Sequence, residues 1–419
     1  MIISDMENRR EHSYNRRETT VLTTKQWQRY ADVMMWALRT ARKRRFKKND
    51  IVLLRYDLPA RPLAEHLQAR LLEMGVHPVM RAMPTPTMET DFYRMANPQQ
   101  LTFIPPGEET LLNNLNGSIF LYAPESITHL RGIDPKRFNR TAIARKPLRD
   151  ILDQRDEKGL FGWTLCLVPT PELAHQAGLS LPDYTAQVVK ACFLNRTRPL
   201  EHWQEIFRNA AILKQWLNRM PVNKLHIMSA NTDLLITPGA HRQWIGLSGH
   251  NIPSFELFTS PDWRGTQGVY HANQPSYRSG NYVEGVTLEF KKGRVTTARA
   301  EQGEQFLRQQ LAMDPGAARV GEFSLTDRRF SKITKFMANT LYDENFGGRQ
   351  GNCHIAVGSS YSDTFQGAPA DLSQERKKEL GFNTSALHWD LVNTERKRVT
   401  AHLKGGQTVT IYENGQFCY

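Results

Sequence analysis

Cysteine is scarce in this 419-residue chain. Its four copies, Cys166, Cys192, Cys353 and Cys418, form no CxxC pair. A zinc finger and a disulfide framework are thereby excluded, and the pattern is that of a protein whose thiols stay reduced. Long apolar runs are missing too. No segment approaches the ~18 uninterrupted apolar residues of a membrane span, and the first 30 residues lack the apolar core of a secretory signal. A cytoplasmic location without a membrane partner is the resulting expectation. Neither an internal repeat nor a low-complexity tract occurs.

Acidic charge is short near the start. Residues 1–50 hold 13 Lys and Arg against 6 Asp and Glu, so they carry +7 of the chain's formal +13. The densest part, ARKRRFKKND (Ala41–Asp50), contains one aromatic, Phe46, and so lacks the stacking groups of a single-strand nucleic-acid platform. It reads as a solvated helix end whose cations favour the C-terminal dipole. Nucleic acid is not the expected partner; binding of nucleic acid or an acidic protein is an alternative that this basic segment keeps open.

The length suggests two domains. Residues 1–22 read as a polar basic extension, expected to be poorly ordered. From 23 to 221, IVLLRYD, HPVMRAM, SIFLYAP and TLCLVPT read as strands, whereas TTKQWQRYADVMMWALRTAR, ARPLAEHLQARLLEMG and EHWQEIFRNAAILKQWLNRM have helical spacing. Such alternation predicts an α/β fold with a largely parallel sheet. From 222 to 419 the texture is mixed α+β, rich in antiparallel strands. KLHIMS, TDLLIT and RQWIGL read as strands, VTLEFKKGRVTTARA as a hairpin turning at Lys292-Gly293, and GEQFLRQQLAM as a helix. Two further turns, GG and NG, mark the C-terminal segment. SGHNIPSFELFTSPDWRGTQG reads as a loop from its Gly, Pro and Ser content.

Four segments of this second region put an acid or histidine inside an apolar or glycine-flanked run: Glu256 in IPSFELF, Glu322 in VGEFSL, Glu344 with His354 and Tyr361 in TLYDENFGGRQGNCHIAVGSSY, and His388 with Asp390 in LHWDLV. Singly, each fits a carboxylate at a strand end or a satisfied core histidine. In an extended NTSALHWDLV, however, Leu387, Trp389 and Leu391 share one face and His388 and Asp390 the other. Four carboxylates gathered in a core would repel and protonate unless cations held them. Two divalent ions would neutralise Glu256, Glu322, Glu344 and Asp390, and two imidazoles select a first-row transition metal over calcium. The balance suits a two-metal hydrolytic site. His354, His388 and Asp390 alone would instead satisfy a mononuclear non-haem iron site, the alternative being a ring-cleaving dioxygenase.

The wording and order of NIPSFELFTSP, GEFSL, TLYDEN, HIAVGSSY and NTSALHWD resemble the aminopeptidase T and aminopeptidase S family of metallopeptidases. The likeness extends through NDIVLLRYDLPARPLAEHL and VEGVTLEFKKGRVTTARAEQGEQFLRQQLAMDPGAARVGE, covering about Gln26 to Tyr419. The resemblance implies that Glu256, Glu322, His354, His388 and Asp390 ligate two divalent ions (Zn, Co or Mn). Glu344 is then a further ligand or an assistant to the water, with Glu322 the other carboxylate able to take its proton. Tyr361 matches a family tyrosine whose phenol could donate to the oxyanion, a role worth ~3–4 kcal/mol. Short peptides as substrates and a homodimer are likewise implied. Two departures stand out: a longer glycine-rich loop, FGGRQGNC, before His354, and Phe255 beside Glu256, which predicts a more apolar pocket wall.

Overall fold

The computed structural model describes residues 21–419, so the extension read at 1–22 lies outside it up to residue 20; Leu22 is already buried in the core. Strands β1 (Ile51–Tyr56), β2 (His77–Ala82), β3 (Gly117–Tyr122) and β4 (Trp163–Leu167) pair in parallel. Alternate residues of β1 point to opposite layers. Val52 and Leu54 join the main core, while Leu53 meets Leu112, Leu115 and Phe161 on the other face, as a parallel sheet covered on both sides requires. The helix Thr24–Ala41 starts at a Thr23/Gln26 capping box and buries Tyr30, Met34 and Leu38 at helical spacing. Just beyond it, Arg42 pairs with Asp50 at 2.5 Å and lies over the Phe46 ring. This first cation of the basic cluster is therefore packed rather than free.

The remaining strands are β5 (Val222–Met228), β6 (Asp233–Thr237), β7 (Asn251–Ile252), β8 (Glu256–Thr259), β9 (Asp262–Ala272), β10 (Ser276–Arg278), β11 (Asn281–Val283), β12 (Val286–Lys291), β13 (Arg294–Arg299), β14 (Val320–Thr326), β15 (Asn352–Gly358), β16 (His388–Asn393), β17 (Arg398–Leu403), β18 (Thr408–Glu413) and β19 (Gln416–Phe417). β7 returns to the first sheet, giving the order β2-β1-β3-β4-β7. An eight-stranded sheet, β13-β12-β9-β6-β5-β17-β18-β19, packs on a four-stranded one, β16-β15-β14-β8. Tyr270 of β9 fastens them, donating its buried hydroxyl to Leu391 O at 2.8 Å. The Lys292-Gly293 and Asn414-Gly415 turns form with both residues at positive φ, the geometry that closes two-residue hairpins.

Two expectations are corrected. RQWIGL is no strand; only Arg242 and Ile245 make isolated bridges, with Phe365 and Phe258. SGHNIPSFELFTSPDWRGTQG is not a loop but carries β7, β8 and the start of β9. Gly249, Pro253 and Pro261 sit at the junctions while Gly265 and Gly268 lie within β9, and Phe255, Leu257 and Thr259 alternate into the core with exposures of 1% or less.

Candidate metal centre

The four-stranded sheet has a chemical face and an apolar face, and its register decides which side chain lies where. Thr326 pairs with Glu256 and Asn352, Ser324 with His354, Ala356 with Glu322 and Asp390, and Gly358 with His388. Since paired residues share a face, Glu256, Glu322, His354, His388 and Asp390 all project to one side. Leu257, Phe323, Leu325, Ile355, Trp389 and Leu391 project to the other and are buried. The alternation expected of LHWDLV is thus observed.

One irregularity makes this possible. β14 carries a bulge between Val320 and Glu322, so Gly321 is an extra residue that sends Val320 into the core and leaves Glu322 on the chemical face. A side chain at Gly321 would meet Ser359 O at 2.2 Å. That carbonyl is needed, because it lies 2.9 Å from His388 Nδ1 and accepts its proton, fixing the ring so that Nε2 is the nitrogen facing the cluster.

Around these strands the donor atoms converge. His354 Nε2 stands 3.2 Å from Glu322 Oε1, 3.3 Å from Glu256 Oε2 and 3.8 Å from Asp390 Oδ1. His388 Nε2 stands 3.4 Å from Asp390 Oδ1 and 3.6 Å from Glu322 Oε2. Two groups of three result, Glu256–Glu322–His354 and Glu322–His388–Asp390, each with its donor atoms within 4.8 Å of one another. Glu322 belongs to both, one oxygen toward each histidine.

The electrostatics are those of a site built for cations. Burial pushes the Glu256 carboxyl up to about 7, helped by Glu322 and opposed by His354. Burial works against charge on His354, yet contact with Glu322, Glu256 and Asp390 outweighs it and raises the imidazole to about 9. His388 reaches about 9 in the same way, mainly through Asp390, whose own carboxyl is held down at about 2. Without metal the two histidines carry the compensating protons; a divalent ion would displace them. Carboxylate and imidazole donors with fixed orientation fit such an ion.

Glu344 lies beside this cluster in neither group. It caps the short helix Thr340–Asp343 and is 7% exposed. Its backbone oxygen is gripped by Thr326 Oγ1 at 3.1 Å and Asn352 Nδ2 at 3.0 Å. Burial first, then the charges of Glu256, Asp390 and Glu322, hold its carboxyl well above the usual range. Tyr361 follows β15, with its ring 4.8 Å from that of His388 and its N–H donated to Ser260 Oγ at 2.9 Å; 43% of its surface is open.

Phe255 departs from expectation. Instead of forming the pocket wall it is fully buried, stacked on Trp203 at 5.4 Å, with its N–H donated to Asn345 Oδ1 at 2.6 Å. Being adjacent to Glu256, it must take the opposite face. Ser324, which donates to Glu256 Oε2 at 2.8 Å, was missed in the sequence; its place two residues after Glu322 was the available signal, since period two puts both on one face.

An antiparallel sheet presenting acids and imidazoles beside an independent carboxylate and a tyrosine is the arrangement of a metal-dependent peptide hydrolase. The family model described as thermophilic metalloprotease (M29) matches residues 23–417, and the chain belongs to that family. Aminopeptidase AmpS of Bacillus subtilis is 28% identical over 332 residues, 75% of this chain and 79% of that protein. Aminopeptidase T of Thermus thermophilus is 27% identical over 310 residues, 69% of this chain and 73% of that one. In three dimensions, wild-type AmpT from Thermus thermophilus superposes with a TM-score of 0.76 at 21% identity, over 93% of this chain and 99% of its own, a likeness of fold. These comparisons support neither the dioxygenase nor the nucleic-acid alternative.

Proposed function

We propose that this enzyme is an aminopeptidase that releases N-terminal residues from short peptides with two divalent metal ions bound by Glu256, Glu322, His354, His388 and Asp390. The observation that carries the reading is Glu322, whose two oxygens address two separate histidines, as expected of a carboxylate shared between neighbouring ions. When bound, the ions supply Lewis-acid polarisation of the scissile carbonyl and a more acidic water.

The chain's own groups do the rest. Glu344 accepts a proton from the attacking water and returns it to the departing amine, which its place outside both donor groups leaves it free to do. Tyr361 donates its phenolic hydrogen to the oxygen of the former carbonyl as negative charge develops there. Ser324 and Ser359 O hold Glu256 and His388 in line. Zinc, cobalt or manganese suits the mixed donor set; a homodimer and a cytoplasmic location remain part of the proposal. Among the described residues no helix is long and apolar enough to cross a membrane.

Elemental analysis of purified protein, paired with hydrolysis of a panel of aminoacyl amides, tests it. Two ions per chain with turnover are expected, and His388→Ala should lower the ion count and abolish turnover while leaving the circular dichroism unchanged. One iron per chain with oxygen consumption would overturn it.

A further inference from the structure

A cavity of about 290 Å³ opens at the carboxyl edge of the parallel sheet, and none of the residues assigned to metal or catalysis lines it. Room for roughly ten waters is room for a ligand of about ten non-hydrogen atoms. The order β2-β1-β3-β4-β7 makes the chain leave β1 toward β2 on one side, with β3 on the other. Crevices at such switch points are where open α/β sheets take ligands.

Its two walls carry opposite charge. Asp57, just after β1, and Glu125, just after β3, come from the sheet side. Asp57 accepts the Ala123 N–H at 2.6 Å. Glu89, the third acid, is engaged by His129 Nε2 at 2.8 Å. From the other half of the chain come Arg278 and Asn339. Arg278 donates from Nε to Gln310 Oε1 at 3.3 Å and from Nη1 to His388 O at 2.9 Å, and it makes no ion pair among the described residues. Asn339 Oδ1 is buried without a hydrogen-bond partner.

The acid that acts on the charge of Arg278, Asp390, belongs to the metal face, so on the cavity side the guanidinium can take a further anionic group. The carboxylates lining the same cavity disfavour phosphate and other polyanions, and the arginine disfavours a polyamine. We propose that this cavity binds a compact zwitterion, a free amino acid, with its ammonium group on Asp57 and Glu125 and its carboxylate on Arg278. The proposal does not depend on the two-metal reading.

Calorimetric titration of the full chain tests it, with leucine on metal-loaded protein and on His354→Ala, and with Leu-Gly-Gly on His354→Ala, in which the peptide survives. Leucine is expected to bind with an affinity indifferent to His354→Ala, and Leu-Gly-Gly, too large for the cavity, about tenfold more weakly or worse. Leucinol, lacking the carboxylate, and N-acetylleucine, lacking the ammonium, should bind about tenfold more weakly or worse, as loss of a charge-assisted contact predicts. Arg278→Gln and Asp57→Asn should each weaken the zwitterion by a similar factor. Glu125→Gln, at an exposed position, serves if Arg278→Gln does not fold. No binding of leucine, tighter binding of Leu-Gly-Gly than of leucine, equal binding of leucine, leucinol and N-acetylleucine, or leucine binding lost with His354→Ala would overturn the proposal.

Discussion

Tyr361 shows what a single residue contributes when its neighbours are already fixed. Its backbone is tied to Ser260 Oγ, and its ring is wedged between Phe258 at 5.6 Å and His388 at 4.8 Å. Removing only the hydroxyl should leave these contacts in place. Tyr361→Phe is expected to lower kcat roughly 10²–10³-fold, the size seen when one oxyanion donor is deleted, with KM changed little. Steady-state kinetics on one aminoacyl amide would show this, and an undiminished kcat would remove the phenol from the chemistry. At this scale the sequence was readable wherever a polar residue broke an apolar period. Glu256, Glu322, His388 and Asp390 were found in that way, but Phe255 was placed on the wrong side because the start of β8 was hidden among Ser, Pro and Gly. Arg278 gave no signal, since a lone arginine in SYRSG looks like any turn residue until its partners are seen.

The decisive element is β14, whose bulge settles which residues see the metal face. A regular strand would keep Val320 in phase with Glu322 and Ser324; the extra Gly321 breaks that phase once. Glycine is required because any β-carbon would run into Ser359 O at 2.2 Å, a backbone atom, and backbone can yield only by moving the β15 loop. Gly321→Ala should therefore push Ser359 O off His388 Nδ1 as well as strain the strand. Stability is expected to fall by about 1–3 kcal/mol, with weaker metal retention on dialysis against chelator. Wild-type retention together with an unchanged denaturation midpoint would show that the bulge tolerates a side chain. Strand existence was legible from alternation in VGEFSL and LHWDLV. The bulge was not, because one extra residue in a short strand leaves no periodic trace, and neither was the four-strand order, which is set by contacts far apart in sequence.

Over the whole molecule, a division at residues 23–221 and 222–419 is our proposal for its domain organisation, yet the two parts share one core. β7 completes the first sheet from beyond Val222, and Phe255 stacks on Trp203 across the same boundary. Charge is buried at this junction too. Asp156, in the helix Lys146–Glu157, lies 3.7 Å from Nε2 of His250, which is stacked on Trp163 at 4.4 Å. Burial, with the charge of Asp363, pushes the Asp156 carboxyl up to about 7, while burial pushes His250 down to about 4. Neither is charged between those values, so the long contact between them is not an ion pair in that range. An aspartate whose folded value is raised above the unfolded ~3.9 contributes stability that is present below pH ~4 and lost as pH rises through about 7. The linkage is worth on the order of 2–4 kcal/mol. Asp156→Asn mimics the protonated form. It should match the parent near pH 4 and exceed it increasingly up to about pH 7.5, with His250 contributing equally to both proteins. Urea midpoints of the two proteins across pH 5–8 measure this directly. A difference that stays constant over that range would mean Asp156 is already charged in the folded junction.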